Sequence, residues 1–213
     1  MYDINAESAW IRRKIRSANI PVRYIGWSLA DLSPYSNDVE ADIGRWLQDL
    51  REGRVLRAEG QTLCGRGLRL TGPPGAGKTA LAVTVLQEAI RLAPAGIWEG
   101  LERPGYFVTY PEYLMSLQKS YDGEEASLEK TVMGTGLLVL DDLGKEHKTS
   151  SGWSENTFDA LLRIRYDKGL PTILTTNVPK SKWSAVYGEA MESFAHEALS
   201  SLVIMSPEGD RRK

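Results

Sequence analysis

One eight-residue stretch of this 213-residue chain combines three glycines, a lysine and a hydroxyl group in an order suited to holding phosphate. Glycines let the backbone curve closely around phosphate oxygens, the lysine can reach them as a point charge, and the closing threonine offers a hydroxyl ligand to Mg²⁺. A plain Gly-Pro turn before a helix is the competing interpretation. Because a predicted strand precedes the stretch and a predicted helix follows it, we expect a nucleotide phosphate loop. Its residues are Gly72, Pro73, Pro74, Gly75, Ala76, Gly77, Lys78 and Thr79.

A second candidate for chemistry is a pair of carboxylates, Asp141 and Asp142, that ends an apolar run. Ligands bind at the carboxyl ends of the strands in open parallel sheets, so this pair should lie beside the nucleotide. Successive strand residues point to opposite faces, which predicts different tasks for the two acids. We expect Asp141 to hold Mg²⁺ together with Thr79, and Asp142 to orient or deprotonate the attacking water. Capping of the following turn is the alternative for Asp142.

Two further polar residues are candidates for the hydrolytic step. Glu146 follows the acidic pair and could supplement or replace Asp142 as the water-orienting acid, or be a solvated loop charge. Asn177 ends a predicted strand and could bridge the attacking water and the terminal phosphate. An ordinary turn residue before Val-Pro is the alternative for Asn177.

The rest of the pattern supplies elements that would position these residues. Short apolar runs alternate with helical patterns from residue 68 onward, which predicts an α/β fold with a five-stranded parallel sheet and helices on both faces. The strands are predicted at 68–71, 106–110, 137–140, 172–176 and 202–205, and helices at 78–92 and 154–168.

The sequence predicts a helical lead-in at residues 1–60 and the main domain at residues 61–213. The lead-in contains a basic amphipathic helix at 8–17 and a second helix at 39–51. Residues 20–24 should be extended, because Pro21 disfavours helix at its predecessor. The basic helix is either a contact for a partner or a solvated helix packed on its own domain.

Composition excludes several classes of protein. With 26 basic and 28 acidic side chains the formal net charge is -2, which does not indicate a globally basic nucleic-acid surface. One cysteine and two histidines do not make a zinc site. We find neither the roughly 20 apolar residues of a membrane span nor a signal-peptide core, so a cytoplasmic protein without a membrane contact is expected.

Together these motifs resemble the DnaC/IstB-like branch of the AAA+ P-loop ATPases, which contains replicative helicase loaders and the ATPase subunits of certain transposases. Residues 72–79 are similar to its Walker A motif, 137–144 to Walker B, 171–177 to sensor I and 20–24 to its lead-in. The resemblance implies ATP and Mg²⁺ as cofactors, slow partner-stimulated hydrolysis, self-association on ATP binding and no separate lid domain.

The resemblance also raises the question of arginines at the nucleotide. The family places an arginine finger after sensor I, where this chain has none. A finger is then either missing, or its role passes to Arg163 or Arg165 in the preceding helix, with a core-edge ion pair as the alternative for Arg165. Arg211, in a closing Gly-Asp-Arg, is the candidate for a sensor II contact with the nucleotide, or part of a solvated tail.

Partners are predicted from the same resemblance. The segment 111–133 should form two helices divided at 122–123, and Lys119 and Tyr121 could give single-stranded DNA a phosphate contact and a stacking surface, although ordinary surface residues are the alternative. The leading hypothesis is a helicase loader that assembles with a replicative helicase and single-stranded DNA. An ATPase subunit of a transposition system and a nucleotide-dependent interaction module with negligible hydrolysis are the alternatives. A small-metabolite kinase would need an acceptor pocket and an arginine lid, which we do not find.

Overall fold

In the computed structural model five parallel strands form one sheet. Their order is β2-β3-β4-β1-β5, which puts β4 between β1 and β3. The carboxyl ends of the three strands that carry the predicted motifs are therefore neighbours. The strands are β1 (Gly67–Thr71), β2 (Gly105–Thr109), β3 (Leu137–Leu143), β4 (Thr172–Thr176) and β5 (Leu199–Val203).

The structure describes residues 8–32, 35–56, 64–92, 101, 103–121, 127–144 and 152–205. Within these ranges the helices are α1 (Ala9–Ser17), α2 (Asn37–Arg51), α3 (Lys78–Leu92), α4 (Tyr110–Tyr121), α5 (Ser127–Gly134), α6 (Trp153–Asp167), α7 (Trp183–Tyr187) and α8 (Glu189–Ala198).

Most predicted elements agree with the observed ones. The bounds of β4 and α3 are those predicted, and the segment between β2 and β3 forms two helices as expected. The prediction for the last strand is wrong, because β5 begins at Leu199 and ends at Val203. Ser200 and Ser201 interrupt the apolar run, so the pattern favoured a later strand. Backbone pairing with β1, from Gly67 with Leu199 to Thr71 with Val203, decides its position instead.

The prediction of an extended segment at 20–24 is also wrong in part. Val22–Tyr24 forms a 3₁₀ turn, in which the amides of Tyr24 and Ile25 donate to the carbonyls of Pro21 and Val22 at 2.9 and 3.1 Å. A proline restricts its own φ and its predecessor, and it does not prevent a turn from beginning directly after it.

Helices cover both faces of the sheet, as predicted. Leu138 and Val139 are successive residues of β3 and belong to different apolar cores, because strand side chains alternate between faces. Elements α1, α2 and α3 build the first core with buried side chains such as Ile15 and Ile43. Elements α4, α6, α7 and α8 build the second around Phe158. The N-terminal helices thus share a core with the sheet.

None of the helices in the described ranges is both long and apolar enough to cross a membrane.

Candidate nucleotide site

The predicted phosphate loop joins the end of β1 to the start of α3. Gly75 and Gly77 have φ values of 82° and 88°, in the left-handed region that glycine adopts at little cost. Lys78 is the first residue of α3, so the free amides and positive dipole end of this helix face the loop. The backbone therefore has the form that an anion-binding loop requires.

Gly72 is required for a different reason, which is close approach to the chain after β5. A Cβ atom added at Gly72 would lie 2.1 Å from the carbonyl oxygen of Ile204. The amide of Ile204 in turn donates to the carbonyl of Thr71 at 2.6 Å. Any larger residue at position 72 would separate the loop from this end of the sheet.

Lys78 is buried, and polar groups of two strand ends hold its ammonium group. Its Nζ donates to the carbonyls of Gly72 at 2.9 Å and Pro73 at 2.8 Å, within the phosphate loop. It also donates to Oδ1 of Asn177 at 2.7 Å. Asn177 directly follows β4, so the structure brings the predicted sensor residue into direct contact with the loop lysine.

Asp141 lies at the centre of a network that contains two threonine hydroxyls and, behind one of them, a backbone amide. Oγ1 of Thr79 is 2.9 Å from Oδ1 and 3.1 Å from Oδ2 of Asp141, and Oγ1 of Thr175 is 2.6 Å from Oδ1. The amide of Asp142 donates to Oγ1 of Thr175 at 3.0 Å, which leaves the Thr175 hydroxyl proton to point at Asp141. The carboxylate of Asp141, which is only 3% exposed, is thereby held in one orientation.

Thr175 is a site residue that the sequence analysis missed. Its position within the buried strand β4 concealed its role, because a threonine is also favoured in strands for packing. Two successive hydroxyl residues at the end of the strand, just before Asn177, were the available signal.

Asp142 lies at an irregularity in β3. Leu140 pairs with Leu174 and Leu143 pairs with Thr176, so β3 has one residue more than β4 between these two pairs. Asp142 takes a φ of 62°, which is uncommon for a residue with a side chain. Strict alternation therefore fails here, and Asp141 and Asp142 both line one cavity. The expectation that the two acids point to opposite faces is wrong for this reason.

A cavity of about 610 Å³ opens where these groups meet. The phosphate loop, both acids and Asn177 line one part of it, and β2 and the lead-in line the remainder, the latter with residues that include Arg23 and Trp27. Arg23 is a second residue to which the sequence analysis gave no role, although it lies within the segment 20–24 that resembles the lead-in of the family.

A smaller apolar cavity of about 430 Å³ adjoins the first, and Leu32 lines both. The hydroxyl of Tyr35 donates to the carbonyl of Gly77 at 3.3 Å and so connects this cavity to the phosphate loop. Leu81, one turn into α3, forms part of its wall. The other lining residues are Leu29, Ala30, Val39, Glu40 and Ile43.

A family model of IstB-like ATP-binding proteins matches residues 44–203, which include the loop, the acidic pair and the Asn177 strand. The chain belongs to the IstB-like ATP-binding proteins. This membership confirms the resemblance drawn from the motifs, and with it the AAA+ P-loop fold.

The relatives of this IstB-like chain include a protein of an insertion sequence and a helicase loader. An ATP-binding protein of insertion sequence IS5376 from Geobacillus stearothermophilus is 29% identical over 123 residues, which are 56% of this chain and 43% of that protein. The DnaC helicase loader, in a crystal structure, is 27% identical with a TM-score of 0.66, over 87% of this chain and 100% of that one. The crystal structure of DnaI is 19% identical with a TM-score of 0.63, over 93% and 100%.

Several residues predicted for this IstB-like protein lie outside the described residues or away from the nucleotide cavity. Glu146 and Arg211 lie outside the described residues, as does the side chain of Tyr121. Lys119 is exposed near the end of α4 and does not line the nucleotide cavity. The proposed roles of these residues stay predictions.

The two arginines of α6 have very different surroundings. Arg165 is completely buried, and burial lowers the pKa of its guanidinium to about 9. It donates five hydrogen bonds to neutral acceptors of its own chain, at 2.7 to 3.1 Å, so it cannot extend to the nucleotide of a neighbouring subunit. Those acceptors are the Thr172 hydroxyl and the carbonyls of Val132, Thr135, Gly136 and Pro171.

The prediction that Arg165 contacts the nucleotide of a neighbouring subunit is therefore wrong. Arg165 has a structural role, as in the alternative, but with different partners. We expected a core-edge ion pair, and the partners are uncharged carbonyls instead. Arg163 is half-exposed, pairs with Asp159 at 2.9 Å and lies over the Phe194 ring at 4.3 Å. Arg163 alone keeps the proposal of a trans contact.

Proposed function

We propose that this IstB-like protein binds ATP with Mg²⁺ and hydrolyses it slowly, as a cytoplasmic switch for assembly with a replicative helicase on single-stranded DNA. The contact of Thr79 Oγ1 with the Asp141 carboxylate, at 2.9 Å, is the observation that supports this most directly. A hydroxyl and a carboxylate at this spacing, beside an anion-binding loop, are the oxygen donors that Mg²⁺ prefers.

The described residues divide the work at the phosphates in the proposed complex. Thr79 and Asp141 would hold Mg²⁺, which supplies positive charge to the outer phosphates when it is bound. Lys78 binds the terminal phosphate oxygens and keeps its contact with Asn177. Asp142 and Asn177 then orient the attacking water, with Glu146 as the alternative acid and Arg211 as a further nucleotide contact.

The base of the nucleotide would occupy the apolar cavity beside the loop. Tyr35 connects that cavity to the phosphate loop, Leu81 of α3 forms part of its wall, and its walls are mostly aliphatic. An aromatic base gains from transfer to such a pocket, because apolar surface is removed from water.

Assembly with a helicase is favoured by the complete coverage of the DnaC loader structure by this chain. The basic helix α1 offers a contact, since its described residues carry four cations and no acid. Lys119 and Tyr121 on α4 are the proposed contact with single-stranded DNA, and ATP binding is proposed to drive self-association.

A transposition ATPase is the second candidate, and the relative from an insertion sequence is the observation that favours it. The nucleotide site does not distinguish the two functions, because both would use the same loop, acids and sensor. A nucleotide-dependent interaction module with negligible hydrolysis is the third candidate, because no arginine of the described residues after β4 is available as a finger.

Nucleotide binding and phosphate release by the purified protein test the ATPase part. We expect ATP–Mg binding that is lost in Lys78→Ala, retained in the exposed control Lys180→Ala, and weakened when EDTA removes Mg²⁺. ATP affinity that survives Lys78→Ala would contradict the loop assignment. Tight binding without phosphate release would favour the interaction module.

The partner is tested separately, by size exclusion with light scattering. The protein is mixed in turn with the replicative helicase and with the transposase of its host, with and without ATP–Mg. A joint complex with the helicase supports the loader, and one with the transposase alone overturns it in favour of the second candidate.

A further inference from the structure

Arg23 and Lys78 are the two cations among the described residues that line the nucleotide cavity. The other charged residues of this lining are Asp31, Asp141 and Asp142. Lys78 lies deep in the loop and is 7% exposed, whereas Arg23 is exposed at the mouth. The cavity therefore has one cation at its floor and one at its rim, and only the first is explained by the phosphate-loop motif.

The backbone that carries Arg23 is fixed on the side of α3. The side chain of Gln87, which is fully buried, makes two hydrogen bonds to the lead-in. Its Oε1 accepts from the Gly26 amide at 3.0 Å, and its Nε2 donates to the Tyr24 carbonyl at 2.9 Å. Buried amide side chains that are fully bonded in this way define a single local geometry.

The same backbone is fixed on the side of β2. The Phe107 amide donates to the Ala18 carbonyl at 2.8 Å, and Nδ2 of Asn19 donates to the Phe107 carbonyl at 3.0 Å. Phe107 itself lines the nucleotide cavity. Arg23 is thus presented from a short turn that is held at both ends against the walls of the site.

The side chain of Arg23 is available for a ligand. Its guanidinium carbon lies 4.7 Å from the centre of the Tyr24 ring, which supports the group without using its hydrogen-bond donors. No carboxylate of the described residues forms an ion pair with it, in contrast to Arg163 and its partner Asp159. Asp31, the nearest acid in sequence, is bonded to the amide and hydroxyl of Ser28 at 2.9 and 2.7 Å.

We propose that Arg23 binds the terminal phosphate of ATP within its own subunit, and so supplies an arginine that the described residues after the sensor strand lack. This inference rests on the proposed ATP binding. A guanidinium presents paired donors that match phosphate oxygens. The triphosphate together with Asp141 and Asp142 carries more negative charge than Lys78 and Mg²⁺ balance. Arg23 then distinguishes ATP from ADP, because ADP lacks the group that it contacts.

Binding of a non-hydrolysable ATP analogue and of ADP, each with Mg²⁺, tests the contact. We expect Arg23→Ala to weaken analogue binding by about 10- to 100-fold and ADP binding by less than about 3-fold. Arg23→Lys should fall between the two, and Arg45→Ala, an exposed arginine on α2 that is 75% accessible, should change neither. Equal losses for both nucleotides, or no loss, would overturn the proposal.

Mixing the Arg23→Ala and Lys78→Ala variants tests whether the contact is made within one subunit. Arg23→Ala keeps an intact loop, and Lys78→Ala keeps Arg23. If Arg23 acts within its own subunit, a mixture of the two hydrolyses no more ATP than the sum of the separate samples. Recovery of hydrolysis in the mixture would show an arginine acting across a subunit interface and would overturn the proposal. Absence of analogue binding to the unaltered protein would instead refute the proposed ATP binding itself.

Discussion

Nζ of Lys78 lies 2.7 Å from Oδ1 of Asn177, which joins the first residue of α3 to the residue that follows β4. The two are far apart in the sequence and meet because β4 is inserted between β1 and β3 in the sheet. We expect Asn177 to respond to what the lysine binds. A phosphate that draws the ammonium away from the carbonyls of the loop would act on Asn177 through the contact that Lys78 keeps with it.

Replacement of Asn177 should separate binding from hydrolysis. We expect Asn177→Ala to lower kcat by about 10²- to 10³-fold with little change in ATP affinity, because the group that orients the water is lost. Asn177→Asp should instead lower the affinity, since a carboxylate beside Lys78 pairs with the ammonium and repels phosphate. Kd from titration and kcat from phosphate release measure the two effects. Equal ATP affinities of the Ala and Asp variants would contradict this account.

We expect Thr175 to affect the binding of Mg²⁺ rather than the binding of the nucleotide base. Thr175→Val has nearly the same shape, but it removes the hydroxyl that donates to Asp141 and accepts from the Asp142 amide. We expect the free energy of unfolding to fall by about 1–3 kcal/mol. The Mg²⁺ concentration required for ATP binding should rise by about tenfold. Urea unfolding and Mg²⁺ titrations measure these. Thr175→Ser, which keeps the hydroxyl, should behave like the unaltered protein, and a similar loss in both variants would refute the role of the hydroxyl.

Asp142 combines a catalytic proposal with an unusual backbone conformation, and two substitutions distinguish them. Asp142→Asn tolerates a φ of 62° and should keep ATP binding and stability while hydrolysis slows by about 10²-fold or more. Asp142→Ala should in addition lose about 1 kcal/mol of stability, because alanine is strained at positive φ. Phosphate release and thermal unfolding are the measurements. Normal hydrolysis by Asp142→Asn would make Glu146 the better candidate for the acid.

The arginines of α6 should differ sharply in their effect on stability. Arg165→Met leaves five acceptors without their donor, one at the start of β4 and one directly before it, and should cost about 3–5 kcal/mol in the free energy of unfolding. Arg163→Ala removes a half-exposed pair with Asp159 and should cost about 1 kcal/mol or less. Urea unfolding measures the free-energy cost of both substitutions, which lie on the same helix. A small cost for Arg165→Met would refute its structural role, and a loss of self-association in Arg163→Ala would support its proposed contact with a neighbouring subunit.

Several features could be predicted from the sequence because short-range chemistry determines them. The glycines, Lys78 and Thr79 specify a phosphate loop wherever a strand precedes and a helix follows, since only these residue types provide the required backbone and charge. The bounds of α3 and β4 followed from apolar spacing in the same way. The position of β5 did not, because pairing with β1 rather than the local apolar run determines where this strand lies.

The sequence by itself determined the fold class, the phosphate loop and the assignment of Asp141 and Asn177 to the same edge of a sheet. Only the tertiary structure decided that Thr175 orients Asp141, that Asp142 turns into the cavity at a bulge, that Arg165 is buried, and that Arg23 reaches the rim of the site. Each of these depends on residues that are distant in the chain and on the order in which the strands pair. The local sequence pattern does not predict such contacts, because the same short segment can be buried or exposed according to the elements that pack against it.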